Sequence, residues 1–449
     1  MRVIPGSDKF KKKGFVMEQK TAQPSKFWAY IAIFFGAFLL LAGLTASISY
    51  LNLPISAFDE DVLGSQLGQM AGMFLGLGGG VLAIIHGLGS IRNRQSRTFQ
   101  LPRFFVFLLG FAIVLGLGNM VLNFEIVPEF LFPPLFLLGA ALPTLVVLTW
   151  VGRRLAWPIT WRQAALAFVA GSTLSILVAI VLEMTLPYLA VLLLPLDTMF
   201  YSIQDLFSTG ESGFIERLFQ SPLILTFLLA TALQAPIPEE FAKALSLAFF
   251  GRARIRSEQQ AFMIGMASGA GFAILENMLY EGLYAQWSGW TWGGITLLRG
   301  LGSVLHPLGT GLVALGWYRA REKGWGELRK AYLVAVVLHT LWNGGFMPFV
   351  FLTGADYSVG VEAYISIYGL AVEVLLIVFL VFLSIGLWWY LRTLVSRMSL
   401  AMAPEVAPQK LRTRALAVWS IACLLVIVPI GAAIGPAWRQ IRAVLFPGF

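Results

Sequence analysis

Gln234-Ala-Pro-Ile-Pro-Glu-Glu-Phe-Ala-Lys243 is the stretch on which the reading of this chain turns. It lies inside an otherwise apolar run, about 221–250, long enough to span a bilayer. Two adjacent carboxylates and a lysine are costly in hydrocarbon, so their presence there points to function. Pro236 and Pro238 cannot donate the backbone hydrogen bonds of a continuous helix. The stretch therefore predicts a helix that breaks and restarts near Pro238, proline being suited to a first helical position. Glu239 and Glu240 then fall in the first turn of the new segment, where free N–H groups favour a carboxylate. Lys243 follows Glu239 by four residues and Glu240 by three, within reach of either. A structural ion pair between packed helices is the plainer alternative for this stretch alone.

Composition gives the class. Hydrophobic residues make up 58% of the 449 and charged residues 12%, about half the usual share. The chain reads as an all-α polytopic membrane protein. The single cysteine, Cys423, lies in an apolar run and excludes both a disulfide framework and a cysteine-rich zinc site. The net charge of +9 is carried in short loops between apolar runs, so topology explains it and no nucleic-acid partner is expected.

Residues 1–26 are polar and basic, and the first apolar run, about 27–51, reads as an uncleaved span. Further runs lie near 67–91, 104–124, 132–151, 164–194, 221–250, 261–285, 297–318, 331–352, 363–391 and 415–435, which makes about eleven spans. The loops alternate in charge. Basic clusters occur at Arg92/Arg94/Arg97/Arg103, Arg153/Arg154/Arg162, Arg252/Arg254/Arg256, Arg319/Arg321/Lys323 and Arg392/Arg397. Acidic residues such as Asp59, Glu125, Asp197, Glu281 and Asp356 fall in the loops between them. The positive-inside rule then puts the N-terminus in the cytoplasm and the C-terminus outside, in a multi-pass protein of the plasma membrane. The segment 196–220 reads as the longest outer loop and 394–414 as a cytoplasmic linker. No internal repeat is evident. Four regions follow: 1–26, a basic segment; 27–220, five helices; 221–352, a polar-studded core of four helices; and 353–449, two further helices.

Gly265, Gly269 and Ala273 recur at four-residue spacing, a small-residue face for close helix packing. His86 reads as an interhelical packing residue, and Glu183 and Glu373 stand alone in the sequence.

The four core runs each carry polar groups at depth. Beyond Glu239, Glu240 and Lys243 these are Glu276 and Asn277, then Arg299 and His306, then His339 and Asn343. His339 and Asn343 are four residues apart and share a helix face. Counted from the inner end of each run, the groups lie roughly 12–22 Å into the membrane. Such agreement between antiparallel spans predicts one buried site. The groups suit hydrolysis: a glutamate to deprotonate water, a histidine to exchange protons, an amide to support an oxyanion. They also suit a metal such as zinc, although HExxH is absent.

Glu239-Glu240-x-x-Lys243, Phe272-x-x-x-Glu276-Asn277, His306 and His339-x-x-Trp342-Asn343 resemble the motifs of the PrsW intramembrane proteases, relatives of the CAAX-prenyl proteases. The resemblance covers about 221–352. It implies a peptidase in which Glu239 is the base, Glu240 orients it, and His339 and Asn343 stabilise the tetrahedral intermediate. Glu276 replaces the histidine of the CAAX relatives, which leaves His306 or Glu276 as partner of the base. Lys243, Asn277 and Arg299 would support the site. No cofactor is demanded by the sequence, and a zinc ion at the Glu/His cluster is compatible with it. The implied substrate is a membrane protein or peptide, such as a membrane-anchored regulator. A proton-coupled transporter using the same groups as a relay, and a non-catalytic scaffold, are the competing readings.

Overall fold

The computed structural model describes residues 26–52, 60–123, 128–193, 232–250, 255–285, 289–358 and 367–400, with 417, 418, 421 and 428. The basic segment 1–25, the 196–220 loop and most of the 394–414 linker and the 415–435 run lie outside them. The described chain is all-α: α1 Lys26–Asn52, α2 Glu60–Met73, α3 Gly80–Ile91, α4 Phe104–Asn123, α5 Pro128–Arg154, α6 Trp161–Ala170 and α7 Ile176–Leu193. There follow α8 Pro236–Ala244, α9 Glu258–Ala285, α10 Gly289–Leu301, α11 Leu305–Lys323, α12 Gly326–Ser358 and α13 Ile367–Leu400. π-helical turns, Phe74–Gly79 and Gly171–Ser175, join α2 to α3 and α6 to α7, and a 3₁₀ turn, Gly302–Val304, joins α10 to α11.

Seven helices among the described residues are long and apolar enough to cross a membrane: Lys26–Asn52, Ser65–Ile91, Phe104–Asn123, Leu131–Arg154, Trp161–Thr185, Glu258–Gly282 and Ala371–Leu400. Each overlaps an apolar run read from the sequence. Two further runs, 297–318 and 331–352, fall on the end of α10 with α11 and on α12; His306 opens α11, and His339 and Asn343 lie inside α12. The 221–250 run is described only from residue 232. Large apolar side chains point outward from the peripheral helices, as at Phe34, Leu109 and Phe382, an arrangement suited to hydrocarbon and not to water.

The centre of the bundle is α9, in which residues 261–274 are all buried. Its small residues explain the position. A Cβ added at Gly265 would come within 2.6 Å of Ala314 Cβ, and one at Gly269 within 2.8 Å of Thr310 Oγ1, both on α11. On the opposite side Gly271 lies against Phe168 of α6, and Gly171 lies against Ser268 of α9. Backbone therefore meets backbone on both flanks of α9, the arrangement small residues allow in membranes.

The basic ends meet. Thr98 and Thr160 form a bridge, and Arg162 donates from Nη2 to the Arg94 carbonyl at 2.6 Å. Thr160 caps α6 through a reciprocal box with Gln163. Elsewhere Arg319 pairs with Glu258 at 2.7 Å, Arg321 donates to the Ile255 carbonyl, and Gln259 donates to the Met398 carbonyl. Glu281 corrects the loop assignment above. It is buried inside α9, because that helix runs on to Ala285 and α5 and α10 cover it: a Cβ at Gly139 would lie 3.2 Å from Glu281 Oε2 and 3.4 Å from Thr296 Cγ2.

Candidate active site

Two interrupted helices face each other at the site. Before α8 the chain turns at Ala235, and the helix restarts at Pro236, two residues earlier than the sequence suggests. Both prolines then lie in the first turn, where a missing N–H costs nothing. Glu239 stays in that turn and Glu240 falls just past it. Across the interface, the 3₁₀ turn Gly302–Val304 ends at α11, and His306 and Pro307 occupy its first turn. Gly309, one turn further, leaves room for Glu240: a Cβ there would lie 2.8 Å from Glu240 Oε2.

Lys243 joins the parts. Its Nζ is 2.8 Å from Glu239 Oε2, 2.9 Å from Glu240 Oε1 and 2.8 Å from His306 Nδ1. The three N–H bonds of an ammonium are thus matched by three acceptors. The Phe272 ring lies 4.1 Å from the ammonium, a cation–π contact in a desolvated place. Lys243 is fully buried, and its carbonyl accepts hydrogen bonds from Ser246 and Ser268. Neither serine has a sequence signature that would have marked it.

Glu276 lies on the far side of His306. Its Oε2 is 2.6 Å from His306 Nε2 and 3.1 Å from Arg299 Nη2. Arg299 donates from Nε to Asn277 Oδ1 at 2.9 Å, and Asn277 donates in turn to the Ala140 carbonyl of α5. Tyr280 and Phe346 face the Arg299 guanidinium at 4.8 and 5.2 Å. The cation is therefore held by stacking as well as by charge.

His339 comes from α12. Its Nδ1 is 3.0 Å from Glu240 Oε1, while its Nε2 has no hydrogen-bond partner among the described residues and lies 3.7 Å from Glu239 Oε2. A carboxylate only accepts, so Nδ1 carries the proton of the neutral ring and Nε2 presents a lone pair. Asn343 is buried one turn along α12.

The structure thus brings Glu239, Glu240, Lys243, Glu276, Asn277, Arg299, His306 and His339 into one connected network. Two contacts bear on the implied roles. Glu240 contacts His339 and Lys243, and both of these lie between it and Glu239. His306 and Glu276, the candidate partners of the base, are likewise linked to Glu239 through Lys243, whereas His339 faces it directly. Glu183 adds a carboxyl beside the site from α7, which packs on α8, and its carbonyl accepts from Gln234.

The donor types also suit a metal. One atom each from Glu239, His306 and His339 lie within 4.8 Å of one another, all buried, and two histidines with one carboxylate are a common zinc set. The unpartnered His339 Nε2 is itself a ready ligand atom.

A buried acid–histidine network inside an all-α membrane bundle defines a candidate intramembrane hydrolase. The chain belongs to the PrsW family: the model described as PrsW family intramembrane metalloprotease matches residues 159–384, half of the sequence. The protein is accordingly an intramembrane protease. No curated protein and no solved structure matches it. The matched region is wider than 221–352. It takes in α6 and α7, which flank α9 and α8, and much of α13.

Proposed function

We propose that the protein hydrolyses a peptide bond of a membrane-embedded or juxtamembrane protein substrate, with Glu239 as the base that activates water. The observation that carries this reading is the pairing of Glu239 Oε2 with His339 Nε2. Two proton acceptors face each other at 3.7 Å, too far to bond one another and close enough to bind one water between them. Glu239 takes a proton from that water as its oxygen attacks the peptide carbonyl, forming a C–O bond. The same proton then passes to the amide nitrogen as the C–N bond breaks. Glu240 fixes the ring of His339, and Asn343 donates to the oxyanion. Lys243 holds both glutamates in register. Glu276, Arg299 and Asn277 support His306 from behind.

If a metal is bound, Glu239, His306 and His339 would hold it, and it would supply Lewis-acid polarisation of a carbonyl or water oxygen.

A membrane-anchored regulator is the substrate class we favour. We further propose a plasma-membrane location with the N-terminus cytoplasmic and the C-terminus outside, supported by the alternation of loop charge. Family membership favours proteolysis over a proton-coupled transporter using the same groups.

The test is cleavage of candidate single-span substrates by the full chain in nanodiscs, run in ¹⁸O-water. Wild type should place one ¹⁸O in the new carboxyl group, and Glu239→Gln should cut nothing. Wild-type rates in Glu239→Gln would remove Glu239 as base. Solute or proton flux without any cleaved product would replace the protease reading with transport.

A further inference from the structure

His306 has both ring nitrogens engaged. Nδ1 meets the Lys243 ammonium at 2.8 Å, and Nε2 meets Glu276 Oε2 at 2.6 Å. An ammonium has no lone pair, so Nδ1 must be the acceptor and the ring proton must sit on Nε2. Nδ1 has a single lone pair, and Lys243 occupies it. A metal bound there would need the ammonium to let go. Binding through Nε2 fares no better, because the displaced ring proton would move to Nδ1 and face the ammonium donor to donor. Either nitrogen of His306 can ligate only after Lys243 has moved.

Lys243 is not a loose competitor. It is fully buried, all three of its N–H bonds have acceptors, and Phe272 closes the remaining side. Removing it would leave Glu239, Glu240 and Glu276 with Arg299 as the sole cation among the described contacts. Unpaired buried carboxylates are expensive, so one cation or another stays in this position.

We propose that Lys243 is the resident cation of the site. Its ammonium keeps metal off His306 in the resting chain, and a divalent ion occupies the Glu239–His306–His339 set only when the ammonium withdraws. This rests on the protease reading for its importance, though its test does not depend on cleavage.

The experiment is Co²⁺ titration of the full chain in nanodiscs, read by visible d–d absorption and by metal analysis, with folding checked by size-exclusion profile. Lys243→Met keeps the side-chain length and removes the charge. It should bind one Co²⁺ per chain about tenfold or more tightly than wild type, within the range by which outer-shell contacts tune metal sites. Adding His339→Ala should abolish that gain. Equal Co²⁺ affinity in wild type and Lys243→Met, or weaker binding in the variant, would overturn the proposal. If Lys243→Met does not fold, wild type alone decides. Wild type should purify without a full equivalent of metal, and an equivalent lost in His306→Ala would sink the idea. A chain that binds metal as proposed but cuts no substrate would instead count against the proteolytic chemistry alone.

Discussion

His339 Nδ1 lies 3.0 Å from Glu240 Oε1, so the second glutamate of the pair touches the histidine directly, while Lys243 lies between it and its neighbour Glu239. In the proposed mechanism the two adjacent carboxylates therefore have different tasks. Glu239 faces Nε2, and Glu240 accepts from Nδ1.

Glu240→Gln keeps the shape and removes the charge that selects this tautomer. Turnover should fall about 10²–10⁴-fold, by analogy with the loss of an orienting carboxylate in other His-dependent hydrolases, with KM little changed. Single-turnover cleavage measures it. A folded Glu240→Gln chain with near wild-type turnover would show that the His339 orientation is immaterial.

Asn343→Ala tests the oxyanion. Removal of one such donor costs about 10²–10³ in turnover, whereas a structural interhelical hydrogen bond would contribute about 0.6 kcal/mol of stability. Slow cleavage with an unchanged melting temperature supports the catalytic role. A lower melting temperature with unchanged turnover supports the structural one.

Arg299→Met leaves Glu276 buried with His306 as its remaining partner. Breaking a buried pair from one side costs about 3–5 kcal/mol. Adding Glu276→Gln should recover much of that loss, because the orphaned charge is gone. Thermal melts of the two single variants and the double variant give the coupling directly, and strictly additive losses would contradict the pairing.

Gly309→Ala puts a methyl 2.8 Å from Glu240 Oε2 and should push that carboxylate out of line. Activity should drop while the fold persists, since the strain falls on one flexible side chain. Gly269→Ala should act differently. Its methyl would run into the His306 carbonyl oxygen and Thr310, which cannot yield, so a destabilisation of about 1–3 kcal/mol is expected. The two melts, set beside the two rates, separate these outcomes.

Much of this was legible in the sequence for physical reasons. A bilayer demands long apolar helices, so seven spans could be read from hydropathy alone. Charges in hydrocarbon are rare, so Glu239, Glu240, Lys243, Glu276 and His306 stood out. The contacts among them were harder to read. Helical spacing tied Lys243 to its two glutamates, but nothing local could show that it also reaches His306, 63 residues away. Glu281 was misplaced because loop charge was read without knowing where α9 ends. Phe272 was visible as a motif residue, and its role as the floor beneath an ammonium needed the fold.

The glycine contacts on both flanks of α9 have a mechanical consequence. α6, α9 and α11 form a wall in which main chain is pressed on main chain, and such a wall cannot part without losing its packing all at once. If the bundle opens while this wall holds, it opens on the opposite side, at α8 and α12. There α8 leaves Ile237 and Phe241 exposed, and Tyr332 of α12 holds the Ile237 carbonyl through one hydroxyl at 2.7 Å. On that side α8 and α12 are joined by this phenol and by the His339–Glu240 contact, and parting them there would also release the histidine of the site.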